Sequence, residues 1–368
     1  MDFVLSELCD QVMTASAAHR PLQVRGGGTK SFYGNGPVPT GQDSHHVLDM
    51  TAYRGIVSYE PSELVVTARA GTPLSELQAV LAEQGQMLAF EPPHFGGAAT
   101  LGGCVASGLS GPRRMAAGAV RDFVLGARLL DAQGRVLRFG GEVMKNVAGY
   151  DVSRMLAGSL GIFGALLEVS LKVAPLPLAE RTLRLELAEG AALAQLGVWR
   201  AKPLPISAAA WAVSGQAPRG ELTVRLSGAP TAVDAASRVL GGQAMDPAQA
   251  QAWWQSLREQ THPFFQPRPL WRLAVPPTTP PLGLGPTLIE WGGGQRWLVG
   301  DHDIQAVRAA AQAAGGHATL FRASGHDQAL AGGVFHPLAP AVAQITRRLK
   351  EAFDPLGIFN PGRMYPGL

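Results

Sequence analysis

The sequence predicts an α+β fold in which two mixed regions share one chain. Three observations point there. The 368 residues are 46% hydrophobic and 16% charged, enough apolar material for a sizeable core. Stretches of alternating, β-branched residues interleave with stretches of helical apolar spacing, and no internal repeat runs through them. Pro175 and Pro177 break the pattern, and an Ala- and Trp-rich region with its own strands and helices follows from about residue 180. The 45 glycines and 28 prolines promise many tight loops but show no collagen-like period.

Taken in order, Phe3, Val4, Leu8, Val12 and Met13 recur at helical spacing and predict an opening helix over 2–19. Residues 21–24 read as a short strand, as do 47–49 and 64–70. Thr72 as N-cap, Pro73 at the first helical position and Gly85 at the end frame a helix whose stripe is Leu74, Leu77, Val80 and Leu81. Strands at 124–130 and 136–139 flank a turn at 131–134. A helical stretch at 150–156 precedes a long apolar strand ending at Val173. The second region reads as strands at 183–187, 206–213, 222–226, 296–299 and 319–322, with helices at 231–240, 247–258 and 303–314. Residues 276–281 form a proline-rich surface loop. The stretch 340–353 is amphipathic, with Val342, Ile345, Leu349 and Phe353 on one side, and leads into DPLGIFNPGRM.

Two glycine clusters stand out. Residues 96–108, GGAATLGGCVASG, hold five glycines and almost no bulk. That composition makes a poor core strand and a poor helix, and suits a backbone that approaches something closely. Arg25-Gly26-Gly27-Gly28-Thr29 follows directly on the first short strand. Consecutive glycines there can turn several N–H groups to one side as an anion nest, with Arg25 adding a phosphate contact; a plain glycine hairpin is the other reading. The GxGxxG-then-helix pattern of a dinucleotide fold is missing.

The bulk numbers exclude several function classes. A formal charge of +3, with no long basic run, gives little support to a nucleic-acid surface. Two cysteines, Cys9 and Cys104, lack CxxC spacing, so a zinc or iron–sulfur site built by this chain alone is not expected, and a reduced, cytosolic compartment is. Acidic residues stand where a signal peptide has its basic region, and no apolar run reaches the ~18 residues of a membrane span.

Taken together, RGGGT, TLGG with a following ASG, GAVRDFVLGARLL, KNVAGYDVSRMLAGSLGIFG and LKEAFDPLGIFNPGR resemble the FAD-linked oxidases of the vanillyl-alcohol-oxidase type, over 25–175 and 338–368. Within that superfamily the chain is similar to the FAD-binding E subunits of bacterial glycolate oxidases, with LWRLAVPPT, LIEWGGGQRWL and HATLFR adding to the match. The resemblance implies a two-subdomain FAD-binding fold of the PCMH type with an α+β cap. Residues 1–178 would form the FAD-binding domain, 179–325 the cap, and 326–368 a segment returning to the FAD domain.

By the same resemblance, Arg25, Gly26, Gly27, Gly28 and Thr29 wrap the FAD diphosphate. Thr100, Gly102, Gly103, Ser107 and Gly108 form a second cradle, Gly118 and Asp122 lie beside it, Gly161 and Ile162 approach through backbone groups, and Asn360 reaches in from the C-terminal segment. Relatives with histidyl-linked flavin carry a His just after the first glycine run; here Thr29-Lys30 stands there, so the FAD is expected to be non-covalent. The metal-binding histidine pair and Glu-His-Gly segment of related D-2-hydroxyacid dehydrogenases are not found, so no metal and no catalytic residue is assigned. His317 and His336 read as ordinary surface or core residues, and His326 in SGHD is a base to test. Lys145 to Asp151 reads as structural, and Cys104 as a small apolar residue in a tight loop. Trp271-Arg272 is either a cationic clamp for a carboxylate or a surface Arg beside a core Trp.

The expected function is that of the FAD-binding subunit of a glycolate oxidase complex, which converts glycolate to glyoxylate. Its partners would be a second flavoprotein resembling D-lactate dehydrogenase and an iron–sulfur subunit that receives the electrons, in a complex cytoplasmic or peripheral at the inner membrane. The alternatives are a self-sufficient FAD-dependent 2-hydroxyacid dehydrogenase and a non-catalytic flavin-binding scaffold.

Overall fold

The computed structural model describes residues 1–36, 46–141, 151–213, 220–324 and 333–368. The opening stripe forms α1 (Asp2–Ala17), which buries Leu8, Val12 and Ala15. It packs beside a two-stranded parallel sheet of β1 (Leu22–Arg25) and β2 (His46–Asp49). Then come β3 (Ile56–Glu60), β4 (Val65–Arg69), α2 (Leu74–Glu83), β5 (Gln86–Met87) and α3 (Leu101–Ser107). After these follow α4 (Arg114–Ala117), β6 (Val124–Leu130), β7 (Val136–Gly140), α5 (Val152–Met155), β8 (Ala165–Lys172) and β9 (Ala174–Pro175).

An antiparallel sheet runs β3-β4-β8-β6-β7, and β9 pairs with β5. The central strand β8 is apolar along most of its length because both faces are covered. Leu166, Val169 and Leu171 join the core under α2 and α3, while Ala165 and Leu167 join the core under α1.

The second region contributes β10 (Ala179–Leu187), α6 (Glu189–Arg200), β11 (Ile206–Val213), β12 (Gly220–Gly228), α7 (Pro230–Leu240), β13 (Gln243–Ala244) and α8 (Pro247–Arg258). It continues with β14 (Leu270–Ala274), β15 (Thr287–Glu290), β16 (Gln295–Val299), α9 (Ile304–Ala313) and β17 (His317–Arg322). Its eight strands pair in the order β13-β10-β12-β11-β15-β16-β14-β17, all antiparallel. Leu193, Leu196 and Trp199 of α6 and Val233 and Ala236 of α7 pack on one face of this sheet, and α9 extends the cover with Val307 and Ala311. A separate core holds Trp254, Phe265, Trp297 and Phe321 and meets the first region through Tyr33 and Leu109.

The last helix, α10 (Pro340–Phe353), returns to the first region. The Lys350 ammonium donates to the carbonyls of Ile162 at 2.6 Å and Phe359 at 2.8 Å, and to Asp354 Oδ2 at 2.6 Å. Asp354 in turn accepts the amides of Ile358 and Phe359. This fully bonded buried pair holds residues 354–360 against β1, where Leu22 bridges to Phe359.

Several local expectations are corrected. The second half of the 96–108 stretch is a helix, α3, capped by Thr100, whose Oγ1 accepts from Gly103 N at 3.3 Å. Its glycines serve close packing: a Cβ on Gly102 would meet Ala70 Cβ at 2.7 Å, so only a bare backbone lets α3 lie against the end of β4. Thr72 does not cap α2; its hydroxyl bonds the amide and carbonyl of Gly55, and the helix starts one residue after Pro73. On α10 only Leu349 and Phe353 reach the core, where Phe353 meets Phe139 and Phe163, while Val342 and Ile345 are exposed. The strands β3, β14 and β15 and the helix α6 were not read from the sequence at all.

Candidate functional site

The two glycine clusters meet. β1 ends at Arg25 and residues 26–29 turn over the start of α3. A Cβ on Gly26 would collide with Thr100 Oγ1, and one on Gly27 with the Ala98 carbonyl oxygen. Gly28 sits at φ +70, in the left-handed region. No described residue accepts the amide N–H of Gly27, Gly28 or Thr29. Those donors stand at a cleft lined by residues 25–31, Tyr33, Thr100, Gly103, Ser107 and Asn360. An adjoining cleft is lined by Gly102, Gly103, Gly161, Leu160 and Asn360 together with Gly26 and Thr100.

Asn360 braces the junction. Its Oδ1 accepts from Val24 N at 2.9 Å and its Nδ2 donates to Leu160 O at 2.7 Å, tying the C-terminal segment to both walls. Gly161 must lack a side chain because its Cβ would lie 2.8 Å from Asn360 Nδ2. Arg363 performs a similar task on the other side, donating to the carbonyls of Asn35, Ser31 and Tyr33.

The first cleft carries Arg25, Lys30 and Arg363 and no carboxylate. Asp49 lies 3.7 Å from Arg25, a half-exposed pair of little strength. Lys30 is turned inward, 3.3 Å from His94 O and beside the Phe95 ring. Burial pushes its ammonium pKa down, against the opposing pull of Cys104 and Glu259. Burial also pushes the Cys104 thiol up to about 11, so it stays protonated and unreactive at neutral pH.

Eleven sequence-expected residues line the two clefts: Arg25, Gly26, Gly27, Gly28, Thr29, Thr100, Gly102, Gly103, Ser107, Gly161 and Asn360. Four lie outside them. Gly108 ends α3 at φ +67, with its Cβ position against Gly158. Gly118 faces Asp122, whose Oδ2 accepts from Ala119 N at 2.9 Å, and Ile162 is in the core with its carbonyl taken by Lys350. Lys30, Tyr33 and Arg363 line the first cleft without having been assigned a role, although Lys30 directly follows the first glycine cluster.

A flavin dinucleotide would bring a dianionic diphosphate. The residues present fit it: free amides in a glycine turn whose bare backbone packs against Thr100 and Ala98, three cations, and no carboxylate in the cleft lining. Among the described residues no group of three His, Cys, Asp or Glu side chains is placed to hold a metal. His326 and Lys145 to Tyr150 lie outside the described residues.

Where the two regions meet, Glu91 accepts from Arg113 N at 2.8 Å and from Arg225 Nη2 at 3.0 Å. Burial alone would raise the Glu91 pKa, but Arg225 and Arg113 hold it below the usual carboxylate range. Nearby, Trp271 is buried, and the next residue on β14, Arg272, projects towards the first region, where its Nη2 donates to Tyr33 Oη at 3.0 Å. Arg272 also lies over the Tyr33 and Phe321 rings.

Comparison with known proteins matches the FAD binding domain family over residues 5–140. Glycolate oxidase subunit GlcE of Escherichia coli (strain K12) is 46% identical over 363 residues, covering 98% of this chain and 97% of that protein. Glycolate oxidase subunit GlcD of Bacillus subtilis (strain 168) is 31% identical over 175 residues, 47% of this chain and 36% of that protein. A D-lactate dehydrogenase of Archaeoglobus fulgidus is 31% identical over 156 residues, 42% of this chain and 33% of that protein. Among solved structures, alkyldihydroxyacetonephosphate synthase in two crystal forms is similar with TM-scores of 0.65 and 0.67 at 16% identity, covering 97% of this chain and 75% of that one. That likeness fixes the fold: the α+β, PCMH-type FAD-binding architecture with its second mixed region. Among the described residues no helix is long and apolar enough to cross a membrane.

Proposed function

The chain belongs to the family of the glycolate oxidase subunit GlcE, within the FAD-linked oxidases, and on that premise we propose that it is the FAD-binding subunit of a complex oxidising glycolate to glyoxylate. The observation that carries this reading is the convergence of the two glycine clusters on one cleft with free amides, three cations and no carboxylate. In this reading residues 26–29 donate N–H groups to the diphosphate, Arg25 and Lys30 supply charge, and Thr100, Gly103 and Ser107 line the path towards the adjoining cleft. Gly108, Gly118, Asp122 and Ile162 shape the loops that carry these groups. Bound FAD supplies the two-electron acceptor chemistry that no protein side chain here offers.

We propose further that the FAD is held non-covalently, because Thr29-Lys30 offers no ring nitrogen at the first cradle and Cys104 is buried as a thiol. Residues 1–178 and 326–368 hold the cofactor, and 179–325 cap it. Electrons leave to an iron–sulfur partner, and a second flavoprotein resembling D-lactate dehydrogenase completes the assembly, in the cytoplasm or peripheral at the inner membrane. Arg272, which has no carboxylate partner among the described residues, favours one further reading, that this subunit oxidises a 2-hydroxyacid by itself.

Co-expression with the two partner subunits tests the assignment. Glycolate-dependent dye reduction is expected from the complex and is lost when this chain is omitted; full activity without it overturns the reading. Anaerobic bleaching of the isolated subunit's flavin by glycolate separates the self-sufficient reading from the complex.

A further inference from the structure

We infer that the cavity between the eight-stranded sheet and the 93–95 and 109–112 segments is a binding site for a two- or three-carbon 2-hydroxyacid, with Arg272 taking the carboxylate and Glu290 a hydrogen bond to the ligand. The cavity is walled by Phe95 and Ser110 on one side and by Gln260, Arg272, Glu290 and Phe321 on the other. The identity of the acid rests on the proposed function; the existence of the site does not.

Arg272 forms no ion pair with any described carboxylate, and a single hydrogen bond, to Tyr33 Oη, occupies one of its five N–H donors. The Tyr33 and Phe321 rings hold its plane at 5.5 and 5.3 Å from their centroids, so the fork is set before any anion arrives. Tyr33 also lines the flavin-side cleft, which places the two cavities on either side of the same residue pair.

Glu290 ends β15 fully buried and has no cationic partner. Trp297 Nε1 at 2.6 Å and Gln295 Nε2 at 2.9 Å both donate to Oε2, and no described residue bonds Oε1. Burial, with Glu91 adding repulsion against those two hydrogen bonds, pushes its pKa up to about 7. A buried carboxyl without an ion pair, in a cavity that also holds an unpaired guanidinium, is the arrangement expected of a ligand site rather than of a packing contact. Below neutral pH it is mainly a carboxylic acid that donates to a bound anion; above, it is mainly a second negative charge beside that anion. Glu91, from the segment before the cavity, is the charge that acts on it; Arg272 from β14 and Arg258 from α8 share the cavity lining, with Arg114 stacked over the adjacent Trp291 and His317 near Arg272.

The cavity measures about 30 Å³. That is a small cavity, in keeping with the two- or three-carbon acid of the proposed function.

Calorimetric titration of the holoprotein with glycolate, D-lactate and D-2-hydroxyglutarate tests the site, with flavin absorbance recorded on the same samples. Glycolate and D-lactate should bind and the five-carbon acid should not. If only the acid form of Glu290 accepts the anion, the apparent Kd rises about 30-fold between pH 6 and pH 8.5. Glu290→Gln should keep the affinity and flatten that dependence, and Arg272→Leu should weaken binding at least about 10-fold, with Arg272→Lys between. Affinity indifferent to Arg272, a flat profile in the unsubstituted protein, or equal binding of the five-carbon acid overturns the inference. Loss of binding with flavin retained defeats this site alone; absent flavin with acid binding retained defeats the cofactor assignment alone.

Discussion

Replacing Gly103 separates flavin binding from folding. Gly103 lies in the first turn of α3 and lines both clefts. A Cβ there would have one neighbour within 4 Å, Thr100 Oγ1 at 3.3 Å, so a larger side chain grows into the cleft and not into the core. An alanine in a helix interior is worth about 0.5–1 kcal/mol over glycine, a gain set here against the tight Thr100 contact, so Gly103→Ala should leave the apoprotein folded with its melting temperature little changed. The same methyl, and more so the two of Gly103→Val, obstructs the surface against which the cofactor lies. Loss of one hydrogen bond to a charged group costs about 1.5–3 kcal/mol, which is a rise of about 10–150-fold in Kd. The assay is quenching of FAD fluorescence on titration with apoprotein, alongside thermal unfolding of each variant. Gly102→Val is the contrasting substitution: its Cβ runs into Ala70, so it should unfold the protein and lose flavin for that reason. If Gly103→Val binds FAD within about twofold of the parent while remaining folded, the cleft is not the flavin site.

Three other outcomes are expected. Glu91→Ala leaves the buried Arg113 and Arg225 with only the half-exposed Glu180 as counter-charge and should cost up to about 3 kcal/mol in urea unfolding, more than Glu91→Gln, which keeps the shape. Lys350→Met strands the buried Asp354 and should cost ~3–5 kcal/mol, with early release of the C-terminal segment seen by hydrogen exchange at residues 354–360. Glu290, with a folded pKa raised to about 7 from an ordinary value of 4.5, binds its proton more tightly in the folded state. Stability should therefore fall as pH rises from 4.5 to 7, by at most about 3 kcal/mol, and level off above; melting curves of Glu290→Gln should lack that slope.

The sequence made the glycine turn at 26–29 legible because consecutive glycines directly after a short strand have few structural uses. It also placed most long elements, since β6, β7, α8, α9 and α10 carry clear periodicity and caps such as Asp303, whose side chain accepts from Ala306 N. What it hid was set by distant contacts. The composition of α3 argued against a helix, yet Thr100 caps it and β4 needs its bare face. The amphipathic stripe of α10 gave no sign that Val342 and Ile345 would lack a covering surface. Lys30 and Glu91 are single charged residues in unremarkable local settings; their meaning comes from Phe95 and Arg225, which lie far away in the chain, while Glu290 takes its setting from the neighbouring strand through Gln295 and Trp297. Arg272 was readable as a clamp or as a surface residue, and only the Tyr33 contact, from 239 positions earlier, shows which way it projects.

The flavin content of the purified chain before and after denaturation tests the central claim most directly. About one FAD per chain, released entirely into the supernatant when the protein is precipitated with acid, is the predicted result for a cofactor held in the cleft without a covalent bond. A colourless protein that takes up no FAD, or yellow colour that stays with the precipitate, would contradict it.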